Sequence, residues 1–249
     1  MQYRICFLYK TISYGYCVTI HFIFSGTPHV HKFYRAQNTT ALDIVSNSLH
    51  YNDDHVILWR NNMKNYQITQ WCARFIKEQV APGDLCIDAT MGNGNDTLLL
   101  STLCGEKGQV LAFDIQEQAL NSTKERLISA GAPDNYTLLL ESHTQMKTHA
   151  QENSVSCITF NLGYLPGGDH AKATKGDTSI EALTQGLSLL RKGGLISLCI
   201  YSGGDSGFEE RDAVLAWLAS LDPHKYLVIR SDYYNRPNNP PIPVLIIKL

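Results

Sequence analysis

Two short stretches of this chain bring together residue types whose spacing suits chemistry. In the first, Asp88-Ala-Thr-Met-Gly-Asn-Gly94, a carboxylate precedes two glycines, and a second carboxylate, Asp114, lies twenty residues past Gly94. Glycines without side chains let a ligand come close to backbone N–H groups, and a carboxylate at that distance suits a pair of ribose hydroxyls. In the second, Asn161-Leu-Gly-Tyr-Leu-Pro-Gly-Gly-Asp169, a carboxamide, an aromatic ring and a carboxylate surround a glycine-proline turn. Such a set can orient a small polar group, stack on the ring that carries it and accept its proton.

The elements that must position these residues follow from hydrophobic periodicity. Residues Tyr66–Gln79 place Ile68, Trp71, Cys72, Phe75 and Ile76 at helical spacing, and Pro82-Gly83 stops that helix. Leu85–Ala89 is a short apolar run fit for a buried strand, Thr90–Asn95 is a loop, and Asp96–Leu103 resumes helically. Further strands are expected at Val110–Asp114, Tyr136–Leu140, Val155–Leu162 and Leu195–Tyr201. Helices are expected at Gln116–Ala130, at Thr178–Leu190, which stops before Gly193-Gly194, and at Phe208–Leu221. Tyr226–Tyr234 and Val244–Leu249 read as two closing strands, joined by Asn235–Pro243, whose four prolines point to an antiparallel hairpin. This alternation implies an α/β fold: a mostly parallel seven-stranded sheet with helices on both faces and a C-terminal antiparallel hairpin. It is the Rossmann-like arrangement of class I methyltransferases.

That order puts the glycine loop directly after a strand and at the start of a helix, whose free N–H groups face a bound cofactor. A nicotinamide fingerprint would require a third glycine where Thr97 stands. Asp88, Gly92, Gly94 and Asp114 therefore fit S-adenosylmethionine better than NAD. The Asn161–Asp169 loop lies at the carboxyl end of the fourth strand, the edge where a substrate would meet that cofactor. It is similar to the Asn/Asp-Pro-Pro-Tyr loop of amino-group methyltransferases. By that similarity Asn161 and the Leu162 carbonyl accept hydrogen bonds from an amine, Tyr164 stacks on its base and Asp169 takes its proton.

The runs LCIDATMGNGNDTLLL, AFDIQEQALNSTKERL, FNLGYLPGGDH and NRPNNPP together closely resemble the "Putative rRNA methylase" family, from about Met63 to Leu249. That family includes bacterial tRNA methyltransferases acting on 5-aminomethyluridine at the wobble position. The resemblance implies a cytoplasmic enzyme that uses S-adenosylmethionine on the tRNA anticodon region, and a homodimer. It further implies that Asn93 and Asn95 contact the methionine end of the cofactor. Asp114 and Gln116 would hold ribose and adenine edges, with Ser142 and His143 beside the adenine. The family's usual lysine after Gly-Gly-Asp is His170 here. Other readings of the same residues are a methyltransferase acting on rRNA or a small molecule, a nicotinamide enzyme, and a non-catalytic nucleotide-binding module.

Charge and composition add boundaries. The net charge of −2 means that any RNA must be met by a local patch; Lys172, Lys175, Arg211 and Arg236 are candidate phosphate contacts. The cysteines are seven, scattered, and show no metal-ligand spacing, which points to a reducing compartment and no metal site. Residues 1–62 differ from the rest. They hold five of nine histidines and six of thirteen tyrosines but only two glycines. They are expected to be an extension of unknown structure, lineage-specific or over-translated, ahead of a methyltransferase domain at 63–249. The apolar stretch Ile5–Phe24 is interrupted by Lys10 and His21 and lacks a secretory cleavage pattern, so no membrane anchor is expected.

Overall fold

A computed structural model describes residues 66–163, 176–202 and 207–249 in full and, before them, the backbone of three strands. The chain divides into two units, Met1–Met63 and Lys64–Leu249. The first unit contains β1 (Ile5–Ile12), β2 (Gly15–Phe22) and β3 (Phe33–Arg35), an antiparallel sheet in which Ile5 pairs with Phe22 and Val18 with Tyr34. Strands thus occupy the apolar stretch near the start of the chain. Among the described residues no helix is long and apolar enough to cross a membrane.

In the second unit, α1 (Ile68–Gln79) buries Cys72, Ala73 and Ile76, a helical stripe, before Pro82 ends the run. The chain then alternates through β4 (Leu85–Asp88), α2 (Asn95–Cys104), β5 (Gln109–Phe113), α3 (Glu117–Ser129) and β6 (Tyr136–Leu139). A 3-10 turn at His143–Thr148 leads to β7 (Val155–Leu162). Next come α4 (Gly176–Leu189), β8 (Leu190–Ile200), α5 (Gly207–Ala219), β9 (Tyr226–Arg230) and β10 (Ile242–Lys248). The sheet order is β6-β5-β4-β7-β8-β10-β9; the first five strands are mutually parallel, and β10 runs antiparallel to both its neighbours.

Strand β4 is the switch point of this order. From it the chain builds outward to β5 and β6, then returns to place β7 on its other side. The loops leaving β4 and β7 therefore diverge and open a crevice at the carboxyl ends of the strands. Both motifs identified in the sequence leave the sheet at that point.

The core lies on both faces of the sheet, and successive residues alternate between them. Ile87, Phe113, Ile158, Phe160 and Ile196 pack with Leu183, Leu187 and Val214 of α4 and α5. Cys86, Val110, Cys157, Leu195 and Leu245 pack with Ile76 of α1 and with Leu100 and Cys104 of α2. The thiols of Cys86, Cys157 and Cys199 are buried core groups, as their apolar surroundings in the sequence imply.

Strand β8 departs from expectation. It begins at Leu190, five residues early, and α4 passes into it without a separate loop. The extra residues form an irregularity opposite Val155–Cys157, where Gly193 takes φ +74° and Arg191 reaches back to both oxygens of Asp84 at 2.8 and 3.2 Å. A glycine pair read as a helix stop is here a bulge that the strand absorbs. In addition, β9 ends at Arg230 rather than Tyr234, and Asn238 and Asn239 in the connection that follows adopt left-handed conformations.

Phe160 is wholly buried at the centre of β7. Phe160→Ala should lower the unfolding free energy by about 3–5 kcal/mol in urea denaturation. A cost of less than 1 kcal/mol would mean that the sheet is not packed around this ring.

Candidate functional site

The glycine loop is held at both ends and along its length. Ala89 N–H donates to the Thr159 carbonyl (2.9 Å), Met91 N–H to that of Phe113 (2.9 Å) and Gly94 N–H to that of Met91 (2.7 Å). Gly92 and Gly94 take φ of +49° and +75°, conformations that favour glycine. A Cβ on Gly94 would stand 2.9 Å from the Thr123 backbone, so the loop lies directly on α3. Thr123 hydroxyl donates to the Gly92 carbonyl (3.1 Å), and Arg126 Nε donates to the Asn93 carbonyl. Asn93 is half-buried, and Asn95, the first residue of α2, is exposed.

Asp88 is fully enclosed. Its Oδ2 accepts from Thr97 Oγ1 at 2.6 Å and its Oδ1 from the Thr90 N–H at 3.3 Å. Burial, reinforced by the nearby Asp96 carboxylate, pushes Asp88 up to about 7, against the pull of those two hydrogen bonds. Asp88 therefore ties the strand to the helix behind the loop. Thr97, which stands where a nicotinamide site would have its third glycine, is turned inward to this carboxylate.

Asp114 follows β5 at the crevice. Its Oδ2 accepts from Gly92 N–H (3.1 Å) and its Oδ1 from Gln116 N–H (2.9 Å), so both oxygens are oriented and each keeps a lone pair for a hydroxyl. Gln116 is buried and starts α3. Between them Ile115 is 53% exposed, an apolar side chain among polar neighbours at the sheet edge. Sequence reasoning overlooked it because it scores as one more core position of a strand end. Ser142 caps the following 3-10 turn, accepting from the Thr144 N–H at 3.3 Å. His143 is buried with its ring tilted on Phe160, centroids 6.1 Å apart. Burial lowers its pKa, opposed by the Ala89 carbonyl, so the imidazole is neutral at pH 7.

The second motif meets the first at Asn161. Its N–H donates to Thr90 Oγ1 (2.7 Å), and its Nδ2 donates to Asp96 Oδ2 (2.8 Å). Asp96, in the first turn of α2, has its pKa raised by burial, with the Asn161 hydrogen bond opposing. Sequence reasoning missed its contact with Asn161, because an acidic residue at that position reads simply as a helix start. Gly163 packs against Tyr201, which leaves 3.0 Å for a Cβ. Tyr164, Asp169, His170, Lys172 and Lys175 lie outside the described residues. Of the candidate phosphate contacts, Arg211 is already engaged, with its guanidinium 2.7 Å from Asp212 and over the Phe208 ring, and Arg236 is exposed. Among the described residues no cluster could hold a metal ion.

The glycine cradle, the oriented Asp114 carboxylate, the exposed Ile115 and the free N–H end of α2 form one edge suited to a nucleoside cofactor. Comparison with known proteins agrees with that geometry. Residues 110–247 match the family model described as "Putative rRNA methylase". The chain is 39% identical over 180 residues to the tRNA (mnm(5)s(2)U34)-methyltransferase, chloroplastic, of Arabidopsis thaliana. That match covers 68% of this chain and spans 65% of the relative's length. Among solved structures, a "putative rRNA-methylase" from Clostridium thermocellum aligns with TM-score 0.71 and 43% identity, over 74% of this chain and 98% of that one. A "putative methyltransferase" from Streptococcus mutans, in complex with SAH, aligns with TM-score 0.67 and 35% identity, over 74% and 98%.

The buried carboxylate gives a pH signature. Folded Asp88 holds its proton more tightly than the unfolded chain does. Its contribution to stability is therefore complete below the ordinary carboxylate range and is lost as pH rises to about 7. Asp88→Asn should remove that share: the wild-type minus variant unfolding free energy should decline from about pH 4 to about pH 7 and level off above. A difference independent of pH would place no titrating group there.

Proposed function

We propose that this chain, which belongs to the "Putative rRNA methylase" family, transfers a methyl group from S-adenosylmethionine to an amine on tRNA. The substrate assigned is 5-aminomethyl-(2-thio)uridine at the wobble position of the anticodon, and the product is 5-methylaminomethyl-(2-thio)uridine. The observation that carries this reading is the Asn161 carboxamide, fixed at the switch point of the sheet beside an oriented glycine loop. The name of the Arabidopsis relative and the SAH held by the Streptococcus mutans structure support the substrate and the cofactor. Residues 63–249 are taken as the catalytic unit, with residues 1–62 outside it. Five buried free cysteines favour a reducing compartment such as the cytoplasm.

Asp114 would hold the ribose hydroxyls, with Gln116, Ile115, Ser142 and His143 around the adenine. Gly92, Asn93, Gly94 and Asn95 would lie along the methionine end, with Asp88 fastening the loop from behind. When bound, S-adenosylmethionine would supply a methyl group on a positively charged sulfur; the group would pass to a nitrogen lone pair, the N–C bond forming as the C–S bond breaks and a neutral thioether leaves. The protein must hold the nitrogen in line with that bond and present it without its extra proton. Deprotonating an amine of lysine-like pKa at pH 7 costs up to about 5 kcal/mol. Asn161 and the Leu162 carbonyl orient the nitrogen by accepting its N–H groups, Tyr164 stacks on the uracil and Asp169 takes the released proton.

Two substitutions separate cofactor from substrate roles. Asp114→Ala should weaken S-adenosylmethionine binding at least tenfold in a calorimetric titration, since each charge-assisted hydrogen bond is worth roughly 1.5–3 kcal/mol. An unchanged dissociation constant in a folded variant would refute the ribose assignment. Asn161→Ala and Tyr164→Ala should instead each lower kcat on the order of 100-fold, with cofactor affinity nearly unchanged. The assay is methyl incorporation into tRNA carrying 5-aminomethyluridine. Near-normal turnover in both variants would make the loop after β7 a structural connection only.

A further inference from the structure

Asn161 has one conformational choice that matters for chemistry. Its backbone is pinned by Thr90, so the open question is which end of its carboxamide faces the crevice. The two ends do opposite things: the oxygen accepts from an N–H, whereas the NH2 donates and would repel an amine's own N–H groups.

The neighbour settles the choice. Asp96 Oδ2 lies 2.8 Å from Asn161 Nδ2, and an ionised carboxylate only accepts. The amide nitrogen must therefore face Asp96, and the oxygen is left for the site. Burial raises the pKa of Asp96, and two features of its surroundings favour the charged form. It sits in the first turn of α2, where the helix end favours an anion, and it receives the Asn161 hydrogen bond. Asp88 lies behind it, fully enclosed, its own pKa raised by burial and by the Asp96 carboxylate. The other titratable groups that face Asp96 are the Cys72, Cys157 and Cys199 thiols and the Tyr201 phenol; burial raises Cys157 and Tyr201, and the bond between Cys72 and Cys199 lowers the first and raises the second.

We propose that Asp96 is a positioning residue that locks the Asn161 carboxamide with its oxygen toward the acceptor nitrogen, so that the site selects an amine able to donate an N–H. The selection is made by a residue that need not touch the substrate. This inference rests on the amine-methylating function proposed above and adds to it the source of the amide's orientation.

Exchanging the two side chains tests the proposal. Asp96→Asn keeps size but frees the amide to turn, so kcat for methyl incorporation into tRNA carrying 5-aminomethyluridine should fall about tenfold or more. Asn161→Asp sets two carboxylates against each other and should fall further. In the double variant D96N/N161D, Asn at 96 donates to Asp at 161 and an acceptor oxygen again faces the site. Its kcat should recover at least about tenfold over N161D, a coupling expected only of residues in direct contact. The dissociation constant for S-adenosylmethionine, titrated alongside, should stay within about threefold throughout. Absence of recovery in folded, cofactor-binding proteins would overturn the proposal. So would a rise in dissociation constant that matches the loss of turnover, because Asp96 would then be holding the cofactor. If N161D or the double variant fails to fold, the isosteric D96N decides alone, and an unchanged kcat there overturns the proposal. A wild-type protein that binds the cofactor yet methylates no amine-bearing tRNA would sink the proposed function itself, and this inference with it. Activity in the wild type without recovery in the exchange would sink the inference alone.

Discussion

The bond from Thr97 to Asp88, 2.6 Å long and shut away from water, is the interaction on which the site depends. It joins the end of the central strand to the first turn of the helix that follows, and so fixes the span the intervening loop must cross. Everything presented to a ligand hangs from that span: the two left-handed glycines, the Asp114 carboxylate bonded to Gly92, and Thr90, which holds Asn161. Burying a carboxylate is costly, and the elevated pKa of Asp88 measures that cost. Functional sites commonly carry such local expense, which the packing of the surrounding sheet outweighs.

The fold was largely legible because a buried parallel sheet writes itself as short apolar runs, and β7 matches its expected bounds residue for residue. What misled was punctuation. Gly193-Gly194 signals a stop in sequence, yet the pairing of β8 with β7 and the clasp of Arg191 on Asp84 carry the chain through it. Long-range pairing outweighed local preference there.

The site was legible in a different way. Asp88, Gly92, Gly94, Asp114 and Asn161 stand out by type and spacing, and the sheet order brings them to one edge. Their division of labour was not readable. That Asp88 faces inward while Asp114 faces the crevice depends on which atoms lie beyond each strand end. The contact between Asp96 and Asn161 spans 65 positions of sequence, and no periodicity encodes it.

The position of β10 affects how the protein is made. Six of the seven strands of the sheet precede it in the chain, yet it lies between β8 and β9 and pairs with both. Until it arrives, β8 has an open edge and β9 has no partner, and both expose backbone groups ready for stray pairing. This half of the sheet is therefore complete only when β10 has inserted between β8 and β9, and until then its edges are open to aggregation.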